Sequence, residues 1–542
     1  MRRGIAGPVG TCPDPFGLSE ALARVSKVPP GVSDPAARPP SRTAVRPPDA
    51  FAALPLRALA DAALSRAAEL GCSHADLRVE RIRDGVRTFR DHALESSTDS
   101  TTTGLAVRVV HDGVWGFASG VGLTTDHAAA LAERAVATAK VSRPLTPHRV
   151  ELADEPVHRD ATWRSTWVTD PFDVDEAERQ GRMLELSGVL LAAPGVSHTS
   201  ASLYWVHEDK FFADLAGTST TQERVRIHPQ LTAVSVGDHG FATMRTLAPP
   251  VGRGWEYLTG TGWDLDAEVA EMPALLAEHA VAPSVEAGRL DLVIEPSNLF
   301  LTIHESVGHA TELDRALGYE AAYAGTSFAT FDQLGTLRYG STEMNVTGDR
   351  VAEHGLASIG YDDEGVRATT FDIVSGGTLV GYQLNRQMAA EKDLGRSNGC
   401  AYADSPGHIP MQRMPNVSLA AAPGGPSTAE LIGRVEHGIY VVGDKSWSID
   451  MQRYNFQFTG QRFYRIEDGR LAGQVKDVAY QATTTDFWRS MEAVGGEETY
   501  VLGGVTNCGK GQPGQSAPVS HGCPSALFRG VNVLNTATEG AA

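Results

Sequence analysis

Hydrophobic and polar positions alternate along this chain in blocks whose period switches between helical and extended. Leu56, Leu59, Ala63 and Ala67 recur at helical spacing and predict a helix capped by Asp49 and ended by Gly71. Residues 75–82 and 105–111 alternate with period two, as half-buried strands do. His111-Asp112-Gly113 predicts a hairpin turn into Val114-Trp115-Gly116-Phe117, and Thr124 then opens an alanine-rich helix running to about Lys140. Residues 142–166 are polar and proline-bearing, the pattern of a linker. An amphipathic helix over 173–193, strands over 199–206 and 210–215, a turn at Gly217 and a helix near 265–281 follow.

A strand over 290–295 delivers the chain into Pro296-Ser297, with Ser297 the expected N-cap. Beyond it Leu299, Ile303, Val307 and Ala310 share one helical face. The stretch 330–540 reads as short strands, turns and glycine, with few long helical patterns. The fold class is therefore α+β. An N-terminal α/β portion with short sheets and flanking helices precedes a C-terminal β-rich domain carrying one chemically important helix. A chain of 542 residues exceeds a single core. The boundaries expected are a leader over 1–48, an N-terminal domain over 49–285 (sub-parts 49–141 and 167–285) and a C-terminal domain over 286–542.

Composition narrows the function classes. Net charge is −19, which argues against nucleic acid as the main partner. No run of 18 apolar residues exists, so no membrane partner is expected. Five cysteines, few and odd in number, suit a reducing cytoplasm and leave one free to serve as a ligand. The leader carries Pro-Pro pairs at 29–30, 39–40 and 47–48, and reads as disordered.

The most informative stretch is His304-Glu305-Ser306-Val307-Gly308-His309, an H-E-x-x-x-H pattern one residue longer than that of common zinc peptidases. Two neutral imidazoles can hold Zn²⁺, and a carboxylate beside the first can accept a proton from water. The extra residue is a geometric problem, because positions five apart on a regular helix differ by roughly 140° around the axis. A π-turn would bring both imidazoles to one face, and Gly308 offers a place for the backbone to break. The bland alternative is a helix with two unrelated histidines.

Catalytic zinc usually takes three protein ligands. Residue types alone leave the third open among Glu312, Asp314, His354, His408, Cys400, Cys508, His521 and Cys523. Cys508 sits in a glycine-rich stretch able to approach an ion closely. The same stretch matches seven positions of a phosphate-binding loop, from Gly504 to Gly509-Lys510. Gly511 stands where a hydroxyl should meet Mg²⁺, and Gln512-Pro513 will not start a helix, so nucleotide binding is set aside. Asp362-Asp363-Glu364-Gly365 reads either as an acidic metal site or as a turn ending in glycine. Asp363, Arg413 and Asn416 are candidates for substrate contact; for Arg413 and Asn416, ordinary loop hydrogen bonds are the alternative.

Taken together these segments resemble the TldD/PmbA family of metallopeptidases, from about residue 51 to 540. In the first third the resemblance rests on Ala75-Asp76-Leu77, an Asp84-Gly85 turn, and Gly104–Arg108 leading to Gly116-Phe117-Ala118. It sharpens in His304–His309 with Glu312, in Asp362–Gly365 with the later Gly377-x-Leu379-x-Gly381-Tyr382, in Met411-x-Arg413-Met414-x-Asn416, and in Cys508-Gly509-Lys510 followed by Gly514-Gln515-Ser516-x-Pro518-Val519. The motif-bearing TldD kind is the catalytic one. The resemblance implies His304, His309 and Cys508 as zinc ligands and Glu305 as general base. It further implies hydrolysis of unfolded or short peptides bound as extended strands, and a homodimer or a heterodimer with a PmbA/TldE-like paralog. Other readings are a non-catalytic or partner-dependent scaffold subunit, and a zinc hydrolase of non-peptide amides. Ser520-His521-Gly522-Cys523 departs from the family pattern and supplies two competing ligands.

Overall fold

The computed structural model describes residues 50–238 and 240–539; the proline-rich leader and the Asp49 cap lie outside them. Helix α1 (Leu56–Glu69) leads into a seven-stranded sheet. Its strands are β1 (His74–Arg90), β2 (Ala93–His111), β3 (Val114–Gly120), β4 (Ala161–Arg164), β5 (His198–Asp214), β6 (Ser219–Gly237) and β7 (Gly240–Arg245), in the order β3-β2-β1-β5-β6-β4 with β7 also on β6. Helices α2 (Thr125–Ser142), α3 (Glu176–Leu191) and α4 (Leu265–Val281) complete this half. The Asp112-Gly113 turn is as expected, with φ of 49° and 70° at its two central residues.

Four local expectations change in this half. The Asp84-Gly85 turn is instead the middle of β1, which runs through it antiparallel to β2 and β5. Glycine is needed there because the Trp205 indole covers it, and an added Cβ would lie 2.2 Å from that ring. The two strands expected over 199–206 and 210–215 are the single strand β5, since the polar run His207-Glu208-Asp209 finds charge partners on both faces of the sheet. The linker contains β4, which adds parallel to β6. The sheet is also longer-stranded than expected, with strands of 17 and 19 residues.

Alternation assigns the two faces. Odd positions of β1 and β5, among them Leu77, Val79, Leu203 and Trp205, pack under the helices in two apolar clusters. Even positions carry buried charge toward the C-terminal half. Lys210 Nζ lies 2.8 Å from both Glu80 and Asp363, Arg108 spans Asp76 (2.8 Å) and Glu364 (3.1 Å), and Arg224 pairs with Glu208 at 2.8 Å. The Asp362–Gly365 segment is thus a turn, with Gly365 at φ +75°, whose acidic side chains dock onto this sheet.

In the C-terminal half, strand β8 (Gly288–Ile294) pairs parallel with His437–Ile449 and antiparallel with Ala526–Asn535. Pairing continues through Val478–Thr483 and Asn455–Glu467 back to His437–Ile449, closing a ring of five strands. Helix α5 (Pro296–Ile303) leaves β8 and is fastened to this ring: Asn298 Nδ2 donates to Gly443 O and Thr459 O, each at 2.9 Å. Its cap is Glu295, whose carboxylate accepts from Ser297 N at 2.8 Å, with Pro296 at the first helical position. Ser297, the expected cap, is the second residue of the helix. No helix among the described residues is long and apolar enough to cross a membrane.

Candidate metal centre

Every residue of α5 is buried, so the chain leaves the helix with no solvent-facing side on which to discard a histidine. His304–Gly308 forms a single π-turn, closed by His309 N–H donating to His304 O. The five-residue spacing therefore brings the two imidazoles together, with ring centroids 4.7 Å apart. Carbonyls loosened by the wider turn are recaptured from outside the helix. The Tyr339 hydroxyl donates to Ser306 O, and Gln383 Nε2 donates to Gly308 O at 2.5 Å. Gly308 itself is helical (φ −52°); a Cβ there would meet the Met414 sulfur at 2.6 Å, and the thioether would have to move aside.

Cys508 arrives from a two-stranded hairpin, Val501–Lys510 with Gln515–Cys523, rather than from a flexible loop. A bulge between Val505 and Cys508 re-aims the strand there. Arg413 fixes it further, donating from Nη2 to Cys508 O and from Nη1 to Gln515 O at 3.1 Å. One ligand atom each from His304, His309 and Cys508 lies within 4.8 Å of the others. Cys508 Sγ is 3.7 Å from His309 Nε2. Tetrahedral zinc with ordinary Zn–N and Zn–S bonds separates such atoms by roughly 3.6 Å, so the spacing suits the ion.

The tautomers of both histidines follow from their neighbours. Val417 O can only accept, so His521 donates to it from Nδ1 (2.8 Å) and keeps a lone pair on Nε2. Burial holds His521 well below the usual imidazole range, hence neutral. His304 must then donate from Nδ1 to His521 Nε2, at 2.7 Å, which leaves His304 Nε2 as a lone pair. His309 donates from Nδ1 to Glu312 Oε2 at 2.9 Å, leaving Nε2 toward Cys508. Burial alone would raise the Glu312 carboxyl, but Lys510, His309 and Arg315 outweigh it and hold it well below the usual range. Each imidazole thus has an orienting partner at Nδ1 behind it and turns Nε2 to the front, the arrangement metal-binding histidines require. Burial pushes the Cys508 thiol up, yet His309 and Arg413 bring it below the ordinary value.

The remaining rivals are elsewhere. Cys523 is fully buried with its sulfur 3.7 Å from Pro296 O, and burial raises its thiol well above the usual value. Cys400 is likewise pushed up to about 12. Asp314 pairs with Lys510 at 2.8 Å; the lysine of the phosphate-loop match is therefore buried in an ion pair. His408 bonds Asp404 at 2.6 Å, and His354 faces Gly252 O at 3.2 Å. Asp363 is held by Lys210 and by Ala403 N. Asn416 donates to Asp349 O and Ser358 Oγ and accepts from Ala357 N and Ser520 N, so all four of its bonds are within the chain.

Glu305 is 5% exposed, as are His309 and Cys508, with His304 at 4%, so the centre is dry enough for charge to act strongly. Burial raises Glu305, but His309, His304 and Arg453 pull it lower than an ordinary carboxylate. Arg453, which sequence reasoning did not single out, places Nη1 2.6 Å from Glu305 Oε2. Nothing in a lone arginine 148 positions downstream marks such a partner.

Comparison with known proteins agrees with this geometry. Residues 287–535 match the model of the PmbA/TldA metallopeptidase C-terminal domain, and residues 75–139 match PmbA/TldA metallopeptidase domain 1. A metalloprotease of Methanothermobacter thermautotrophicus is 28% identical over 465 residues, 85% of this chain and 96% of the relative. The zinc metalloprotease TldD homolog of Saccharolobus solfataricus is 22% identical over 488 residues, 87% and 98% of the two chains. Among solved structures, TldE from Thermococcus kodakarensis shares the fold with a TM-score of 0.67 at 14% identity, over 87% of this chain and 98% of that one. With both domain models matched and near full-length relatives on either side, the chain belongs to the PmbA/TldD family of metallopeptidases.

Proposed function

We propose that this chain is a zinc metallopeptidase that hydrolyses peptide bonds in unfolded or short peptides. The observation that carries the reading is the pair of buried imidazoles whose Nδ1 atoms are each occupied, leaving their Nε2 atoms to face the space beside Cys508 Sγ. Two neutral nitrogens and one thiolate are a donor set that zinc accepts, with a further position left open. His304, His309 and Cys508 would hold it. When bound, zinc supplies Lewis acidity, acidifying a coordinated water and polarising a peptide carbonyl. Glu305 accepts the proton of the attacking water and returns it to the leaving amine. His521 and Glu312 keep the imidazoles in the required tautomers.

A cavity of about 280 Å³, not itself lined by His304, Glu305, His309 or Cys508, adjoins the hairpin that carries Cys508. It lies between the first sheet (Tyr204, Glu208, Arg226) and the hairpin that carries Cys508 (Thr506, Ser516, Pro518). An extended strand entering there would run beside the metal-bearing hairpin. Pairing with a second copy or with a PmbA/TldE-like paralog, in the cytoplasm, is part of the same proposal; the shared fold with TldE supports it. Domains at 49–285 and 286–542 would then form the two walls of the site.

The test is purified full-length chain with unstructured peptides, with and without chelator, beside Glu305→Gln. Expected are chelator-sensitive cleavage by the wild type, and a variant that keeps zinc but loses turnover by roughly 10²- to 10⁴-fold. Undiminished turnover in Glu305→Gln removes the general-base role. Cleavage only after adding a paralogous chain indicates a partner-dependent subunit, and cleavage of small amides in preference to peptides indicates a different hydrolase.

A further inference from the structure

Glu305 has a partner that the peptidase reading does not use. Arg453 stands in the turn between strands His437–Ile449 and Asn455–Glu467, and reaches across to place Nη1 2.6 Å from Glu305 Oε2. Both side chains are withdrawn from water, 14% and 7% exposed, so the pair is geometrically defined rather than a mobile surface contact.

The turn that presents Arg453 is built for the purpose. Arg453 has φ +62°, a left-handed conformation that an arginine adopts at a cost. The Asp450 carboxylate pins the strained segment by accepting from Gln452 N (3.1 Å), Tyr454 N (2.8 Å), Asn455 N (3.0 Å) and Asn455 Nδ2 (2.6 Å). The Arg453 carbonyl accepts from Thr484 Oγ1 at 2.7 Å. The remaining guanidinium nitrogens are lightly used: Nη2 is 3.5 Å from Ala324 O, and Nε has no hydrogen-bond partner among the described residues. The single short hydrogen bond of this guanidinium is the one to Glu305.

A glutamate has three rotatable side-chain bonds, and its position next to a metal ligand does not by itself aim its oxygens. Oε2 is held by the Arg453 cation, and the Trp447 side chain also hydrogen-bonds the carboxylate, so its aim is set from this strand and turn rather than by the Glu305 backbone. We propose that Arg453 is the positioning residue for Glu305, fixing one carboxylate oxygen so that the other meets water and the leaving amine. The proposal rests on the reading of Glu305 as general base.

The experiment compares full-length, zinc-loaded wild type with Arg453→Ala and Arg453→Lys, each also in the Glu305→Gln background. Measured are kcat and KM on an unstructured peptide, zinc stoichiometry, and calorimetric affinity for an uncleavable peptide. Expected for Arg453→Ala is a loss of roughly 10- to 100-fold in kcat, the scale of one hydrogen bond to a charged group. KM, zinc content and inert-peptide affinity should stay within about twofold. Arg453→Lys should recover part of the loss, and Arg453→Ala should cost nothing further once Glu305 is Gln. Unchanged kcat in Arg453→Ala overturns the proposal. So does a raised KM with kcat intact, which makes Arg453 a substrate contact, or loss of zinc, which makes it a strut. Should Arg453→Ala fail to fold, Arg453→Lys carries the same test through its kcat and zinc content. A zinc-loaded wild type without chelator-sensitive activity overturns the peptidase reading itself, a distinct result.

Discussion

Two buried histidine clusters in this molecule look alike by composition and are prepared for opposite things. In the first sheet, His207 lies against Asp209 and Glu223 closely enough for the three to hold a metal. Yet both of its ring nitrogens face carboxylates: Nδ1 meets Asp170 at 2.6 Å, and Nε2 meets Glu223 at 3.2 Å and Asp209 at 3.4 Å. Burial would lower this imidazole, but those three carboxylates raise it to about 11, so at neutral pH it is a cation in its own right. At His304 and His309 only one nitrogen of each ring has such a partner, and for His304 that partner is the neutral His521. One cluster contains its positive charge as a proton; the other, in the proposed reading, presents two ring nitrogens and a sulfur to a metal ion. Proximity of histidine to acidic groups therefore does not identify a metal site. The second nitrogen of each ring does.

The comparison breaks most directly on zinc. Cys508→Ala should lose most bound metal, measured as stoichiometry after dialysis, while His207→Gln should bind it as the wild type does. Loss of zinc in His207→Gln would make the first-sheet cluster the metal site. Next in size, His207→Leu leaves buried carboxylates without their cation and should destabilise the fold by about 3 kcal/mol in urea unfolding. The effect has a sign in pH. Because the folded value, about 11, lies above the ordinary 6.5, the stabilisation is complete below pH 6.5 and is lost as pH rises through 11. The stability gap between wild type and His207→Gln should therefore shrink steadily over that window; a constant gap would mean that His207 is neutral. Smaller again, His521→Leu removes the acceptor behind His304 and should weaken zinc binding by about 10- to 100-fold in competition with a chromophoric chelator. The smallest effect is expected of Cys523→Ala, whose zinc content should be unchanged.

Legibility followed the range of the interactions. The helix over 265–281, the Thr124 cap and the Asp112-Gly113 hairpin depend on neighbours in sequence, and were readable from it. So was the need for a π-turn, because spacing and helical pitch alone conflict at His304 and His309. Gly85 was noticed for the wrong reason: it looked like a turn, and it is an allowance for Trp205 from far along the chain, whereas Gly308 does stand where the π-turn gives way to a 3-10 turn. Asn416 and Asp363 looked available for substrate, and are engaged inside the protein.

By itself the sequence determined the α+β class, the family pattern and the two histidines with their neighbouring glutamate, because residue type and local period are written in it directly. Only the tertiary structure decided which residues stand behind His304 and His309, that His521 hydrogen-bonds His304, that Cys508 comes from a bulged strand, and that Arg453 faces Glu305. Those relations join residues up to 217 positions apart. They depend on which ring nitrogen points where, a property of packing that no local pattern encodes.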